Sequence, residues 1–114
     1  MKYGDPDEEA FEKLLDQEFL LFEGILLMKR GFDEFTTRDL LKKYTQEQVQ
    51  RLHNHESLFL YVLDLELQRK WARQLRTIWE KRISESFPHV PFQIELLDSN
   101  IEVVVTVLNK EDVL

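Results

Sequence analysis

Residues 58–87 read LFLYVLDLELQRKWARQLRTIWEKRISESF and decide the fold that we expect. They hold both tryptophans and contain no Gly or Pro, so no strong helix breaker interrupts them. From Glu66 onward the apolar side chains share one side of a helix, namely Leu67, Trp71, Leu75, Ile78, Trp79 and Ile83. We expect helix over 58–86. Its first part, 58–67, also alternates with a period of two and is compatible with a strand.

The N-terminal quarter predicts another helix, which begins near Asp5 or Asp7 and ends at about Met28. Its apolar residues fall in one arc at helical spacing, namely Phe11, Leu14, Leu15, Phe19, Phe22, Ile25 and Leu26. Three further apolar residues, Leu20, Leu27 and Met28, lie outside this arc. The second half of this helix would therefore be apolar on nearly all sides, which is typical of a central helix or of one covered by a second subunit.

Two short helices are predicted between these segments. Thr36 or Thr37 can cap a helix over 38–44, and the sequence from Thr45 to Gln48 is typical of a capping box that starts the next helix. The polar run 53–57 either breaks that helix or lies inside one helix over 45–86. We favour a break, because Glu56 would otherwise lie on the apolar stripe.

The C-terminal region predicts a β-hairpin. Residues 92–97 and 101–108 alternate with a period of two around a turn at 98–100. Two strands alone are marginal in water, so they must pack on the helices, and their free edge can pair with another chain. The expected fold class is α+β, with several helices followed by a C-terminal antiparallel β-hairpin packed on them. We expect a single domain over 1–114, with a loose N-terminal tail at 1–6 and a frayed end at 109–114.

Composition narrows the class of function. A net charge of −7 disfavours nucleic acid as a partner, although a local basic patch could still bind it. The chain has no cysteine, which excludes disulfides, thiolate metal sites and a cysteine nucleophile. No run approaches the roughly 20 apolar residues of a membrane span, and the acidic N-terminus is unlike a signal peptide. We expect a cytoplasmic protein that does not bind membranes.

The basic residues suggest one candidate site and a pair of mismatched charges suggests another. Arg69, Arg73 and Arg76 form an arginine ridge at helical spacing, which could bind phosphate or an acidic partner, or could be a solvated or neutralised helix face. Glu18 and Arg82 each fall inside the apolar arc of their predicted helix. We hypothesise that they form a shielded ion pair or line one small polar pocket, unless they reach solvent.

Other motifs carry little chemistry. His53, His55 and Glu56 lack the three or four convergent ligands of a zinc site, so we expect no metal and no cofactor. No catalytic motif is found, and we expect no enzyme. The leading hypothesis is a small intracellular protein-interaction or adaptor domain, which we expect to be a homodimer. One alternative is a nucleic-acid-binding regulator that uses residues 69–82, or residues 36–56 as a helix-turn-helix whose side chains could read base edges, namely Gln46, Gln48, Gln50, Arg51 and Asn54. The other alternative is an enzyme with an unfamiliar site near Glu18.

Overall fold

A computed structural model describes residues 6–110 and confirms the α+β class, with four helices and five strands in this part of the chain. The elements are α1 (Glu8–Leu15), β1 (Phe19–Phe22), β2 (Ile25–Met28), α2 (Glu34–Lys43), α3 (Gln46–His53), β3 (His55–Ser57), α4 (Leu65–Ser86), β4 (Phe92–Asp98) and β5 (Val103–Asn109). Strands β1 and β2 form a two-stranded sheet, and β3, β5 and β4, in that order, form a second sheet. All pairs are antiparallel, and the predicted C-terminal hairpin is present as β4 and β5.

Helix α4 supplies the centre of the main core. Its residues Leu75, Trp79 and Ile83 are completely buried, in one cluster with the odd-numbered valines of β5. The Trp79 indole N–H donates a hydrogen bond to the carbonyl oxygen of Leu14 at 3.0 Å, which satisfies its polar atom inside the core. The tryptophan side of the predicted helix is thus the side that packs.

The central strand of the three-stranded sheet, β5, is covered on both faces. Thr106 and Leu108 point away from α4 and are also buried. Helix α3 lies on that side, where the Arg51 guanidinium pairs with the Glu95 carboxylate of β4 at 2.7 Å. This second layer explains why β5 is apolar on both faces.

The prediction of one helix to Met28 is wrong, because α1 ends at Leu15 and residues 19–28 form the β1–β2 hairpin. Glu23 and Gly24 connect the strands with positive φ angles of 52° and 82°, as a two-residue turn that follows the natural twist of a hairpin requires. All four residues of β2 are buried. A strand buried on both faces loses its period of two, so its apolar residues can also be fitted to a helical arc.

For the two central helices, the structure corrects one predicted start and confirms two other predictions. Helix α2 begins at Glu34 and is capped by Asp33 rather than by Thr36 or Thr37. The expected capping box of Thr45 and Gln48 is confirmed at the start of α3. The predicted break is confirmed as well, because β3 follows α3 directly.

The start of α4 and the end of the chain need two further corrections. Residues 58–60 form a single 3-10 turn rather than helix or strand, and α4 begins at Leu65 behind an Asp64 cap. Strand β5 extends through Asn109, and the Lys110 N–H donates to the carbonyl oxygen of Pro91 at 3.0 Å, so the predicted fraying does not hold for these two residues. The rest of both predicted tails, residues 1–5 and 111–114, lies outside the described residues.

One edge of β2 is closed by side chains instead of by a strand. The Lys29 N–H donates to the Glu18 carbonyl oxygen, and this register turns the backbone groups of Leu26 and Met28 away from β1. No strand within residues 6–110 pairs with them there. They need hydrogen-bond partners because both residues are buried.

The partners come from an amide network of three side chains, Gln50, Asn54 and Asn109. Asn109 accepts from the Leu26 N–H at 2.9 Å, and Gln50 donates to the Leu26 carbonyl oxygen at 3.0 Å. Asn54 accepts from the Met28 N–H at 2.9 Å and donates to the carbonyl oxygens of Leu26 and of Val107, at 2.8 and 3.0 Å.

A fourth side chain completes this edge of β2. The His53 Nε2 atom lies 2.8 Å from the Met28 carbonyl oxygen. All four backbone groups that β2 turns away from β1 are therefore satisfied, and Asn54 joins β2 to β5 directly. The two sheets are held together through side-chain amides.

Helix α4 is the longest of the four described helices, but no helix between residues 6 and 110 is both long and apolar enough to cross a bilayer.

We predict that Asn54→Leu lowers the free energy of unfolding by about 2 kcal/mol or more, because it leaves the Met28 N–H and the Val107 carbonyl oxygen without a partner at about 1–3 kcal/mol each, whereas the Leu26 carbonyl oxygen keeps Gln50. Denaturant unfolding followed by circular dichroism measures this loss. Asn100→Ala, in the exposed β4–β5 turn, is the matched control and should change stability by less than about 0.5 kcal/mol. Equal stability of the two variants would contradict the role given to the amide network.

Candidate functional site

The outer edge of β4 is open. The Lys110 N–H donates to the Pro91 carbonyl oxygen and the Ser99 N–H to the Glu102 carbonyl oxygen, so the odd-numbered residues of β4 are the ones that bond to β5. The N–H and C=O groups of Phe92, Ile94 and Leu96 consequently point away from β5. No strand in the described part of the chain lies on that side.

Among the strands of residues 6–110, this edge is the longest one without a partner. Along the outer edge of β1, only Phe19 and Leu21 direct their backbone N–H and C=O groups away from the neighbouring strand. Along the outer edge of β3, only His55 and Ser57 do so. On β4, the side chains of Phe92, Ile94 and Leu96 are half-buried against the main core, which holds the strand rigidly in place. An extended chain could therefore add to β4 with little rearrangement.

The arginine ridge borders this edge. Arg69 of α4 binds the Asp98 carboxylate at the end of β4, with an Nε–Oδ2 distance of 2.7 Å. At 100° per residue, Arg73 and Arg76 lie on the same flank of α4 as Arg69, about a quarter turn from the core residues. The Arg69 end of the ridge therefore lies beside the end of β4, which sequence spacing alone could not show.

Acidic residues of the chain itself neutralise much of the ridge. Arg69 is held between Asp98 and Glu66. Arg76 lies 3.9 Å from Glu80, which is a loose contact between side chains that are about half exposed. Arg73 is exposed and has no acidic partner within residues 6–110. The cationic group left to bind a partner at this edge is chiefly Arg73.

Glu18 and Arg82 do not form the shielded ion pair that we hypothesised. The Glu18 carboxylate is 66% exposed and binds the Lys29 ammonium at 3.1 Å, across the start of the β1–β2 hairpin. Arg82 donates instead to the Gln17 carbonyl oxygen at 2.9 Å. The hypothesis placed Glu18 on a helix face, whereas Glu18 directly precedes a strand.

The two residues are among those that line one cleft. The cleft has a volume of about 510 Å³ and is lined by Asp16, Glu18, Phe19, Arg82, Ile83, Ser86 and Phe87. Both charged groups are engaged elsewhere, and no buried side-chain nitrogen or oxygen atom in the described chain lacks a hydrogen-bond partner. The enzyme hypothesis near Glu18 remains a prediction without a reactive constellation to support it.

The three residues of the metal motif point to different partners. The His53 ring contacts the Met28 carbonyl oxygen, the His55 ring contacts the carbonyl oxygen of Arg51, and the Glu56 carboxylate binds Arg30. No group of three or more potential ligands converges anywhere in residues 6–110.

Glu56 is the one buried carboxylate among the described residues, and its burial was not foreseen from the sequence. Strand β3 turns it inward, where it binds the Arg30 guanidinium and accepts a hydrogen bond from the Tyr61 hydroxyl at 3.2 Å. Burial, and then the charge of Glu56, raises the pKa of the Tyr61 hydroxyl above its ordinary value, with Arg30 acting in the opposite direction. This cluster is fully paired, so we assign it to stability.

The helix pair proposed for reading bases is present as α2 and α3, but most of its candidate side chains are occupied. Gln50 and Asn54 are buried in the amide network. Arg51 pairs with Glu95 and lies 3.7 Å from Glu47, and Gln48 closes the capping box. The nucleic-acid hypothesis stays a prediction, with Gln46 as its one remaining side chain of the proposed set.

A second, apolar surface lies on the outer side of the same helix pair. A hollow of about 400 Å³ is lined by Leu40, Tyr44, Gln48, Val49 and Leu52. Leu52 is 62% exposed, which is high for a large apolar side chain on a helix.

Comparisons of the chain with protein-family models, with curated proteins and with solved structures found no match. The function is therefore inferred from the geometry of this molecule. Of the surfaces described, the β4 edge alone joins unpaired backbone donors and acceptors to a cationic side chain, and it is the strongest candidate.

We predict that Glu56→Gln lowers the pKa of Tyr61 toward its ordinary value of about 10 by removing the nearby negative charge. Because the pKa is raised in the folded state, the stability contributed by the neutral hydroxyl is present below pH 10 and is lost as the pH rises through the folded pKa. Tyrosinate absorbance is recorded as the pH is raised. The curve of the same protein with Tyr61→Phe is subtracted, which isolates the titration of Tyr61. Glu34→Gln, on an exposed helix start, should leave the titration unchanged; an unaltered curve for Glu56→Gln would refute the assignment.

Proposed function

We propose that this protein is a protein-interaction domain that binds a partner segment in extended conformation by strand addition to β4. The observation that carries the proposal is the row of unpaired backbone groups at Phe92, Ile94 and Leu96. Each residue offers one donor and one acceptor at the spacing of an antiparallel ladder. Net gains of about 0.5–1.5 kcal/mol per hydrogen bond make such an edge a useful source of affinity.

Side chains at the edge would supply the specificity. An added strand places alternate side chains on the α4 side of the sheet, next to the half-buried Ile94 and Leu96. Arg73, one helical turn along α4 from Arg69, has no acidic partner in the described chain. A segment that alternates apolar and acidic residues on one face would match both features.

We also propose the cytoplasm as the site of action, because a chain without cysteine needs no oxidising compartment.

The first test blocks the edge with a backbone methyl group and leaves every side chain of β4 unchanged. Residues 86–114 are made by chemical synthesis with an N-methyl group on Ile94 and are ligated to residues 1–85 through Ser86→Cys, at the exposed end of α4. Peptides selected from a displayed random library against the unmethylated ligated protein should bind it, and should lose at least about tenfold in affinity for the methylated protein. Thermal unfolding of both proteins verifies the fold. Selected peptides that bind both proteins equally would refute strand addition at β4.

The second test concerns charge. Arg73→Glu should weaken binding of the acidic peptides in the selected set by about fivefold to tenfold, because an attraction becomes a repulsion. Lys70→Glu makes the same change in charge on a different, exposed flank of α4 and serves as the control. Titration calorimetry at two salt concentrations measures both variants. Equal effects of the two substitutions would show that only the net charge matters.

A further inference from the structure

We infer that a second copy of this chain is a partner of the β4 edge, so that two molecules join into one six-stranded sheet. The inference rests on the proposed strand addition and names its partner. A two-fold axis perpendicular to the sheet makes the two β4 strands antiparallel and places both α4 helices on the same face. The exposed backbone groups of one copy then meet those of the other.

The side chains of β4 select the register. Centring the axis on Glu95 would place the two Glu95 carboxylates directly opposite each other, which is unfavourable. Centring it on Ile94 instead pairs Ile94 with its own copy, Phe92 with Leu96, and Gln93 with Glu95. These pairs are apolar on the core side and combine an amide with a carboxylate on the other face. About six backbone hydrogen bonds form between the copies in this register.

The charges on α4 fit the same register. A helix rises about 1.5 Å and a strand about 3.3 Å per residue. We count both rises along the strand direction from the Arg69–Asp98 contact. Arg73 of α4 is then at the same height as Leu96 of β4, and Glu80 is at the same height as Gln93. In the Ile94-centred register, the two-fold axis places the height of Leu96 in one copy opposite the height of Phe92 in the other copy. Arg73, which lacks an acid in its own described chain, then lies close to Glu80 of the second copy, and Arg76 lies on the other side of that carboxylate.

Sedimentation equilibrium of the full chain tests the dimer. We expect twice the chain mass of 13.8 kDa at micromolar concentration, and the mass of a single chain for the protein with N-methyl Ile94. Peptides selected against the edge should compete with the second copy and dissociate the dimer. A wild-type chain that stays monomeric at 100 µM, or a dimer that survives the N-methyl group, overturns the inference.

A charge exchange tests the register. One variant carries Arg73→Glu and Arg76→Glu, and the other carries Glu80→Arg. Each variant alone places like charges across the axis and should weaken self-association at least tenfold, whereas an equimolar mixture restores opposite charges at every contact and should form a heterodimer. A mixture that associates no better than its components overturns the Ile94-centred register. Peptide binding to the Glu80→Arg variant, which keeps Arg73, is measured separately, so a failure of the dimer is distinguished from a failure of strand addition.

Discussion

The side-chain amides of Gln50, Asn54 and Asn109 are the contacts on which the arrangement of the two sheets depends. A side-chain amide carries a donor and an acceptor, as a peptide group does, and so it can take the place of a neighbouring strand. Here three of them, from α3, from the residue after it and from the end of β5, satisfy the backbone of Leu26 and the N–H of Met28. The β1–β2 hairpin can therefore be buried beside β5 without leaving polar groups unpaired.

The same chemistry gives β4 a different role. Both β2 and β4 turn backbone donors and acceptors away from their hairpin partner, but only the groups of β2 meet side chains within residues 6–110. Natural proteins commonly protect open edges with charged residues, prolines, bulges or short strands. Strand β4 has seven residues and places Pro91 and Asp98 at its ends, which leaves its middle accessible. This contrast is the reason for assigning the interaction to β4 rather than to another edge.

The sequence allowed some of these features to be predicted and concealed others. Helix α4 from Glu66 onward, the capping box at Thr45 and the C-terminal hairpin follow from local patterns. The β1–β2 hairpin does not, because a strand buried on both faces has no alternation to detect. Gln50 and Asn54 read as polar surface residues, since their partners lie 24 or more residues away. The arginine ridge follows from helical spacing, but its partial neutralisation depends on Asp98, which is 29 residues from Arg69.

The amide network also sets an order of events during synthesis. Leu26 leaves the ribosome 83 residues before Asn109, which at typical translation rates is on the order of 10 s. Throughout that interval the buried edge of β2 has neither Asn109 nor the carbonyl group of Val107 to complete it. The nascent chain therefore exposes an apolar strand with an incomplete hydrogen-bonding edge until Asn109 is made, and stable folding of this domain has to wait for that residue.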